Sequence, residues 1–311
     1  MSSRSKDLNN TGYNSNKNLL LFFMCTLAWT WIVGFIPLLF GTQDGLIPIG
    51  IGNMAANDML FKILSGPAPS IVGVVLVLST FTRAQKKDYV KRTFSFKQMG
   101  IQWPLLVMAF YAVVCATTVL ISVTFMGGAM PGFDGIRMLA RQPHMIFLFL
   151  FAAVMSGPIN EEFGWRGYSL DRLLIRFGFW KGSAILGFVW CIWHLPWYFY
   201  PENGQYIAWQ ASPIHGGIAM IAYHITFSCI VSIVYIKTKR SIMSGFFVHM
   251  IGNFFTGSLL ILPIDTTYFI TLLYVRIVLE GLVVLYFARS SKFKSEIKDQ
   301  ISAFQMMIDS K

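Results

Sequence analysis

The chain has 311 residues, of which 55% are hydrophobic, 16% aromatic and only 13% charged, and its mean hydropathy is +0.58. Soluble domains carry about 25% charged residues, so this composition excludes a soluble globular protein and describes an integral membrane protein with little room for a separate soluble domain. The formal net charge of +11 does not argue for a nucleic-acid partner, because basic residues of membrane proteins collect in cytoplasmic loops and meet anionic lipid.

The first 18 residues, MSSRSKDLNNTGYNSNKN, are polar and Asn/Ser-rich and are expected to form a disordered cytoplasmic N-terminus. The apolar run 19–40 exceeds a signal-peptide core of about 7–15 residues and reads as a membrane anchor. A spanning helix needs roughly 20 mostly apolar residues. On that basis eight segments are predicted, at 19–40, 63–82, 103–126, 145–163, 183–200, 218–236, 241–262 and 267–288. The expected fold is all-α, a polytopic membrane helical bundle over 19–288 followed by a basic cytoplasmic tail, 289–311. Pro158 and Pro196 fall near segment ends, where a kink or stop costs little. Cys25, Cys115, Cys191 and Cys229 lie inside apolar runs without CxxC spacing, which argues against a zinc ribbon or a disulfide framework.

Lysine and arginine set the expected orientation. With the N-terminus inside, the inner stretches 1–18, 83–102, 164–182, 237–240 and 289–311 hold most basic residues, including Arg83, Lys86, Lys87, Lys91, Arg92 and Lys97. The outer loops hold Lys62, Arg137 and Arg141, and the loops at 201–217 and 263–267 hold no Lys or Arg. Both termini are therefore expected in the cytoplasm, and the Asn/Ser-rich, basic chain is read as belonging to a bacterial cell membrane. Within 164–182, Leu170, Leu173, Leu174 and Phe177 recur at helical spacing, as a continuation of the fourth segment or as a helix lying in the interface.

Ionisable groups at membrane depth are costly and by default mark function. In GPINEEFGWRGY, Glu161 and Glu162 are adjacent and point about 100° apart on a helix, so they cannot share a proton face to face. Arg166 pairs with Glu162 at i,i+4. That leaves Glu161 to face a cavity, where a desolvated carboxylate suits a general base. A solvated helix end is the bland alternative. In WCIWHLPW, His194 is either a packing residue or a functional imidazole, and Trp190, Trp193 and Trp197 fit an interfacial aromatic belt. In FFVHMIGNFF, His249 and Asn253 share a helix face, able to bind a water, a carbonyl oxygen or a metal together, or to glue two helices. Arg276 and Glu280 read as an internal structural ion pair, and His224 as packing. Carboxylates, imidazoles and an amide on three segments form a kit for amide hydrolysis, with a base that activates water and donors that stabilise an oxyanion. The same kit could hold a metal.

NEEFGWRGY resembles the EExxxR motif of the CAAX prenyl protease and bacteriocin-processing (CPBP, or Abi) family of intramembrane metalloproteases. WHLPW resembles its second motif, FxxxH, and HMIGN its third, HxxxN; order and spacing match across 161–253. One departure is that Trp190 stands where the family has Phe, which bears on pocket shape more than on chemistry. The resemblance implies Glu161 as general base, Glu162 and Arg166 as orienting residues, and His194 as an aid to water or metal positioning. It implies His249 and Asn253 as an oxyanion-stabilising pair or part of a metal site. A divalent metal such as zinc would be held by Glu161, His194 and His249. Membrane lipid and a prenylated CAAX-type or other membrane-anchored peptide are the implied partners. A non-catalytic immunity or regulatory partner with the same fold, and a proton-relay transporter, are the alternatives; no inverted repeat supports the latter.

One tension concerns depth. Glu161 falls near the cytoplasmic end of the fourth segment, whereas His194 lies about 11 residues, or roughly 16 Å at 1.5 Å per residue, into the fifth. The expectation is that the fourth helix continues past Arg166 and that the three motifs meet in one water-filled cavity.

Overall fold

A computed structural model describes residues 16–40, 61–201, 203–257, 262 and 265–309. Among these residues the chain is helical and has no strand. Helix α1 spans Asn16–Phe40, so the anchor helix starts at Asn16 rather than Leu19; residues 1–15 of the polar N-terminus lie outside the described residues. Next come α2 (Phe61–Thr80), α3 (Arg83–Thr93), α4 (Phe96–Met99), α5 (Gln102–Phe125) and α6 (Asp134–Arg141). The helical run α7 spans Pro143–Phe177 and α8 spans Phe179–Trp193, with a 3-10 turn at Leu195–Phe199. They are followed by α9 (Gly204–Ala211), α10 (Pro213–Lys237), α11 (Ile242–Gly257), α12 (Thr266–Arg289) and α13 (Ser291–Asp309).

Six of these runs, α1, α2, α5, α7, α10 and α12, are long and apolar enough to cross a membrane; α8 and α11 are shorter apolar helices. They correspond one to one with the eight predicted segments, and the protein is a multi-pass membrane helical bundle. The largest boundary shift is in the fourth segment. The fourth segment does not stop at 163 but runs to Phe177, so the 164–182 loop shrinks to a turn at Gly178, whose φ of 73° is left-handed and suits glycine. The 170–177 stretch is thus a continuation of the helix, with Leu170, Asp171, Arg172, Leu173 and Leu174 buried. The basic tail is largely α13, anchored by buried Phe293 and Phe304.

Three features position the middle of α7. Pro158 has no N–H to donate, and a turn at Ser156–Gly157 interrupts the helix before it restarts at Pro158–Gly164. A π turn then covers Trp165–Ser169, with Leu170 N–H donating to Trp165 C=O and Ser169 Oγ donating to the same carbonyl at 2.8 Å. Single π turns inside α-helices occur frequently at functional sites. Finally, α2 crosses at Gly164. A Cβ there would come within 2.0 Å of Pro69 O, and one on Gly73 within 2.7 Å of Gly164 Cα. Only small residues allow two backbones this close.

The opposite wall is held by polar contacts. Arg276 Nε donates to Glu280 Oε1 at 2.9 Å, Arg276 Nη2 to Tyr111 OH at 3.0 Å and Arg276 Nη1 to Tyr223 OH at 2.9 Å. The Thr226 hydroxyl donates to Glu280 Oε2 at 2.9 Å. This ties α5, α10 and α12 together, as expected of a structural ion pair. Below it, Arg240 makes a two-pronged contact with Asp171 at 3.1 and 2.7 Å, Arg92 lies 3.3 Å from Asp171, and Tyr235 OH donates to Asp171 at 2.8 Å. The α10–α11 turn is thereby fastened to the end of α7.

Removing one partner of a buried ion pair leaves the other charge uncompensated, at a cost of about 3–5 kcal/mol. Arg276→Ala is expected to lower stability by that amount, read as a fall in the thermal or denaturant midpoint of protein purified in detergent. A midpoint equal to wild type would show that the network does not hold the helices.

Candidate active site

The restart of α7 at Pro158 turns Glu161 and Glu162 in different directions, as adjacent helix residues must. Both are buried, at 4% and 0% exposure. Glu162 faces α11: its Oε1 accepts from Arg166 Nη1 at 2.8 Å and from His249 Nδ1 at 2.8 Å. Glu161 faces α8: its Oε2 accepts from Trp165 Nε1 at 3.2 Å and from Trp190 Nε1 at 2.5 Å. The i,i+4 pair is present, and Glu161 does look elsewhere.

The Arg166–Glu162–His249 chain fixes the imidazole. A carboxylate only accepts hydrogen bonds, so His249 Nδ1 carries the proton and Nε2 is left as the free ring nitrogen. Arg166 is buried, its guanidinium 4.7 Å from the centre of the Trp190 ring. Among the described residues, Arg166 Nε and Nη2 and Glu162 Oε2 have no hydrogen-bond partner. These buried polar atoms cluster beside the two carboxylates, where such groups call for an explanation other than packing.

The space between the carboxylate and the imidazole is marked by Gly157. A Cβ on this residue would lie 2.6 Å from His249 Nε2 and 2.9 Å from Glu161 Oε1. The free oxygen of Glu161 and the free nitrogen of His249 therefore flank one spot, and the absent side chain leaves it open. Asn253, one turn beyond His249, is half-buried and donates from Nδ2 to Ser156 Oγ at 2.9 Å. So Glu161, Glu162, Arg166, His249 and Asn253 converge around the Ser156–Gly157 turn.

His194 stands apart from that group. Its ring packs against Trp190 at 6.0 Å and His224 at 4.9 Å, whereas His249 meets the Trp190 ring at 5.3 Å. The Trp190 indole thus touches both imidazoles. His194 Nδ1 donates to Trp190 C=O at 2.9 Å and His224 Nδ1 to Met220 C=O at 2.7 Å. His224, read as a packing residue, does pack, but in an aromatic group with His194. Trp190, Trp193 and Trp197 are buried rather than belted at the lipid–water boundary.

A metal held by Glu161, His194 and His249 would need their donor atoms to converge on one point. Among the described residues no three His, Cys, Asp or Glu side chains do so. Trp165, Ser156 and Gly157 are site residues that motif reasoning leaves without a role, the last two lying inside the predicted segment 145–163; Trp190 reads from the sequence as part of an aromatic belt and as bearing on pocket shape.

All three motifs lie within residues 143–255, which match the family model described as type II CAAX prenyl endopeptidase, Rce1-like. The motif core is thus similar to that family. The chain is also 26% identical over 242 residues to a protein of Methanococcus maripaludis named CAAX prenyl protease 2, across 76% of this chain and 83% of that protein. That stretch of similarity extends well beyond the motif core. The resemblance drawn from EExxxR, FxxxH and HxxxN accordingly holds.

The two glutamates are expected to differ in what they do for the fold. Glu162→Ala strands a buried arginine and should cost about 3–5 kcal/mol. Glu161→Gln keeps an acceptor for the two indoles and should cost about 1 kcal/mol or less. Equal melting points of the two variants in detergent would contradict this division.

Proposed function

We propose that the protein is an intramembrane endopeptidase that cleaves a CAAX-type prenylated or other membrane-anchored peptide by glutamate-activated water. The names of the matching family and relative support the CAAX-type class. The observation that carries the mechanism is the pairing of Glu161 Oε1 and His249 Nε2 about the space at Gly157.

Glu161 Oε1 takes a proton from water as the water oxygen attacks the scissile carbonyl carbon. His249, its Nδ1–H committed to Glu162, accepts the water's other hydrogen at Nε2 and aims its lone pair. The Asn253 amide, now on Ser156 Oγ, is the donor within reach of the developing oxyanion. The protonated Glu161 then returns its proton to the leaving amine as the C–N bond breaks. Glu162 and Arg166 hold His249, and no proton-transfer step is given to His194. On this reading substrate enters from the cytoplasmic side, where the basic inner loops and both termini are expected, in a bacterial membrane.

The test is cleavage of a panel of farnesylated CAAX peptides and membrane-associated leader peptides by purified protein in lipid. Wild type is expected to cleave, and Glu161→Ala and His249→Ala to abolish turnover. Gly157→Ala, which puts a methyl group into the shared space, should lower kcat by about 10²-fold or more, the scale of a lost acid–base step. A chelator should leave the wild-type rate unchanged; loss restored by zinc would return a metal to the mechanism. Cleavage by Glu161→Ala at the wild-type rate would sink the proposal.

A further inference from the structure

Trp190 stands where the second motif of the family has phenylalanine, and at this place the two aromatic residues are not equivalent. The indole is buried, at 2% exposure. Its faces and edges are taken by Phe227, stacked at 5.4 Å, by the Arg166 guanidinium and by His249. A phenyl ring could supply much of that packing. It could not supply Nε1–H, which reaches Glu161 Oε2 at 2.5 Å.

Glu161 needs such a donor. It is an acidic group in an apolar wall, and its neighbour Glu162 has already taken both Arg166 and His249. The two donors recorded for its carboxylate are indole N–H groups, from Trp165 and Trp190, and both fall on Oε2. With that oxygen pinned, Oε1 is the one turned toward Gly157 and His249. Hydrogen bonds to an ionised oxygen are among the stronger ones, so the nearer indole also fixes the rotation of the carboxylate.

Resting on the proposed function, we infer that Trp190 is a positioning residue for Glu161: its indole N–H pins Oε2 and presents Oε1 to the attacking water. The tryptophan is a substitution with chemical content, not a change of pocket shape alone.

The hydrogen bond is read without activity by NMR of full-length protein in lipid nanodiscs, labelled with 15N at the tryptophan indoles. The Trp190 resonance, assigned by its absence in Trp190→Phe, is expected downfield among the nine tryptophans and should move upfield in Glu161→Ala. A resonance that stays put in Glu161→Ala overturns the inference. Its consequence is read in the peptide assay: Trp190→Phe should lower kcat roughly 10- to 100-fold, the effect of losing one hydrogen bond to a charged group, with KM within about twofold of wild type. Replacing Trp190 by 3-benzothienylalanine keeps the ring shape and loses the N–H, and should reproduce the loss. Full kcat with that analogue would make Trp190 a packing residue and overturn its positioning role. If wild type cleaves nothing while the resonance moves as expected, the protease reading falls and the pinning of Oε2 by Trp190 stands.

Discussion

An ionised carboxylate can persist in a helical membrane bundle only if fixed partners replace its water. Glu162 meets that condition with two donors on one oxygen, Arg166 from its own helix and His249 from α11. Much else in the site follows from this arrangement. Arg166 must continue the same helix face one turn on, so α7 cannot end at the membrane surface after Glu162. The imidazole must give up Nδ1, so its outward nitrogen is decided. And α11 must approach α7 closely, which it does at Gly245, where a Cβ would come within 2.8 Å of Glu162 Oε2.

Once Glu162 is committed to structure, Glu161 is free for chemistry. The angular step of the helix separates the two carboxylates, and their surroundings separate them further. Glu162 sees a cation and an imidazole, whereas Glu161 sees two neutral indoles on one oxygen. A base paired directly with a guanidinium would be held in its charged form and made a poor proton acceptor. Neutral donors orient a carboxylate with less loss of basicity. The adjacent pair thus resolves into one residue that builds the site and one able to act in it.

The helical segments were legible because apolar runs of spanning length are a strong signal. The i,i+4 pairing of Glu162 with Arg166, and of Arg276 with Glu280, was legible because helix geometry fixes it locally. What failed were inferences across the bundle. The fourth segment was ended at 163 because Glu161, Glu162, Arg166, Asp171, Arg172 and Arg176 depress hydropathy. Most of these side chains pack inside the bundle, not toward lipid, so the helix runs on to Phe177. This is the outcome anticipated from the mismatch in depth. The roles of Trp190 and Trp165 were hidden because an indole is counted as apolar in any periodicity argument, while its single N–H can bind a carboxylate 29 positions away in sequence. Gly157 was unreadable for a related reason: its contribution is the volume it leaves between two side chains from different helices.

The same geometry separates the metal reading from the glutamate reading of the motifs. Two histidines and a glutamate in one small region invite a metal on composition. Coordination, however, needs lone pairs aimed at a common centre. Here His249 aims Nε2 at the Gly157 space, whereas His194 belongs to an aromatic group with Trp193, Trp197 and His224. Trp190 stands between the two arrangements, touching both imidazoles and bonded to Glu161. A bulky donor on a would-be ligand carboxylate competes with a cation for the same lone pairs. On the proposed reading, the contact by which Trp190 orients Glu161 also competes with any cation for Oε2.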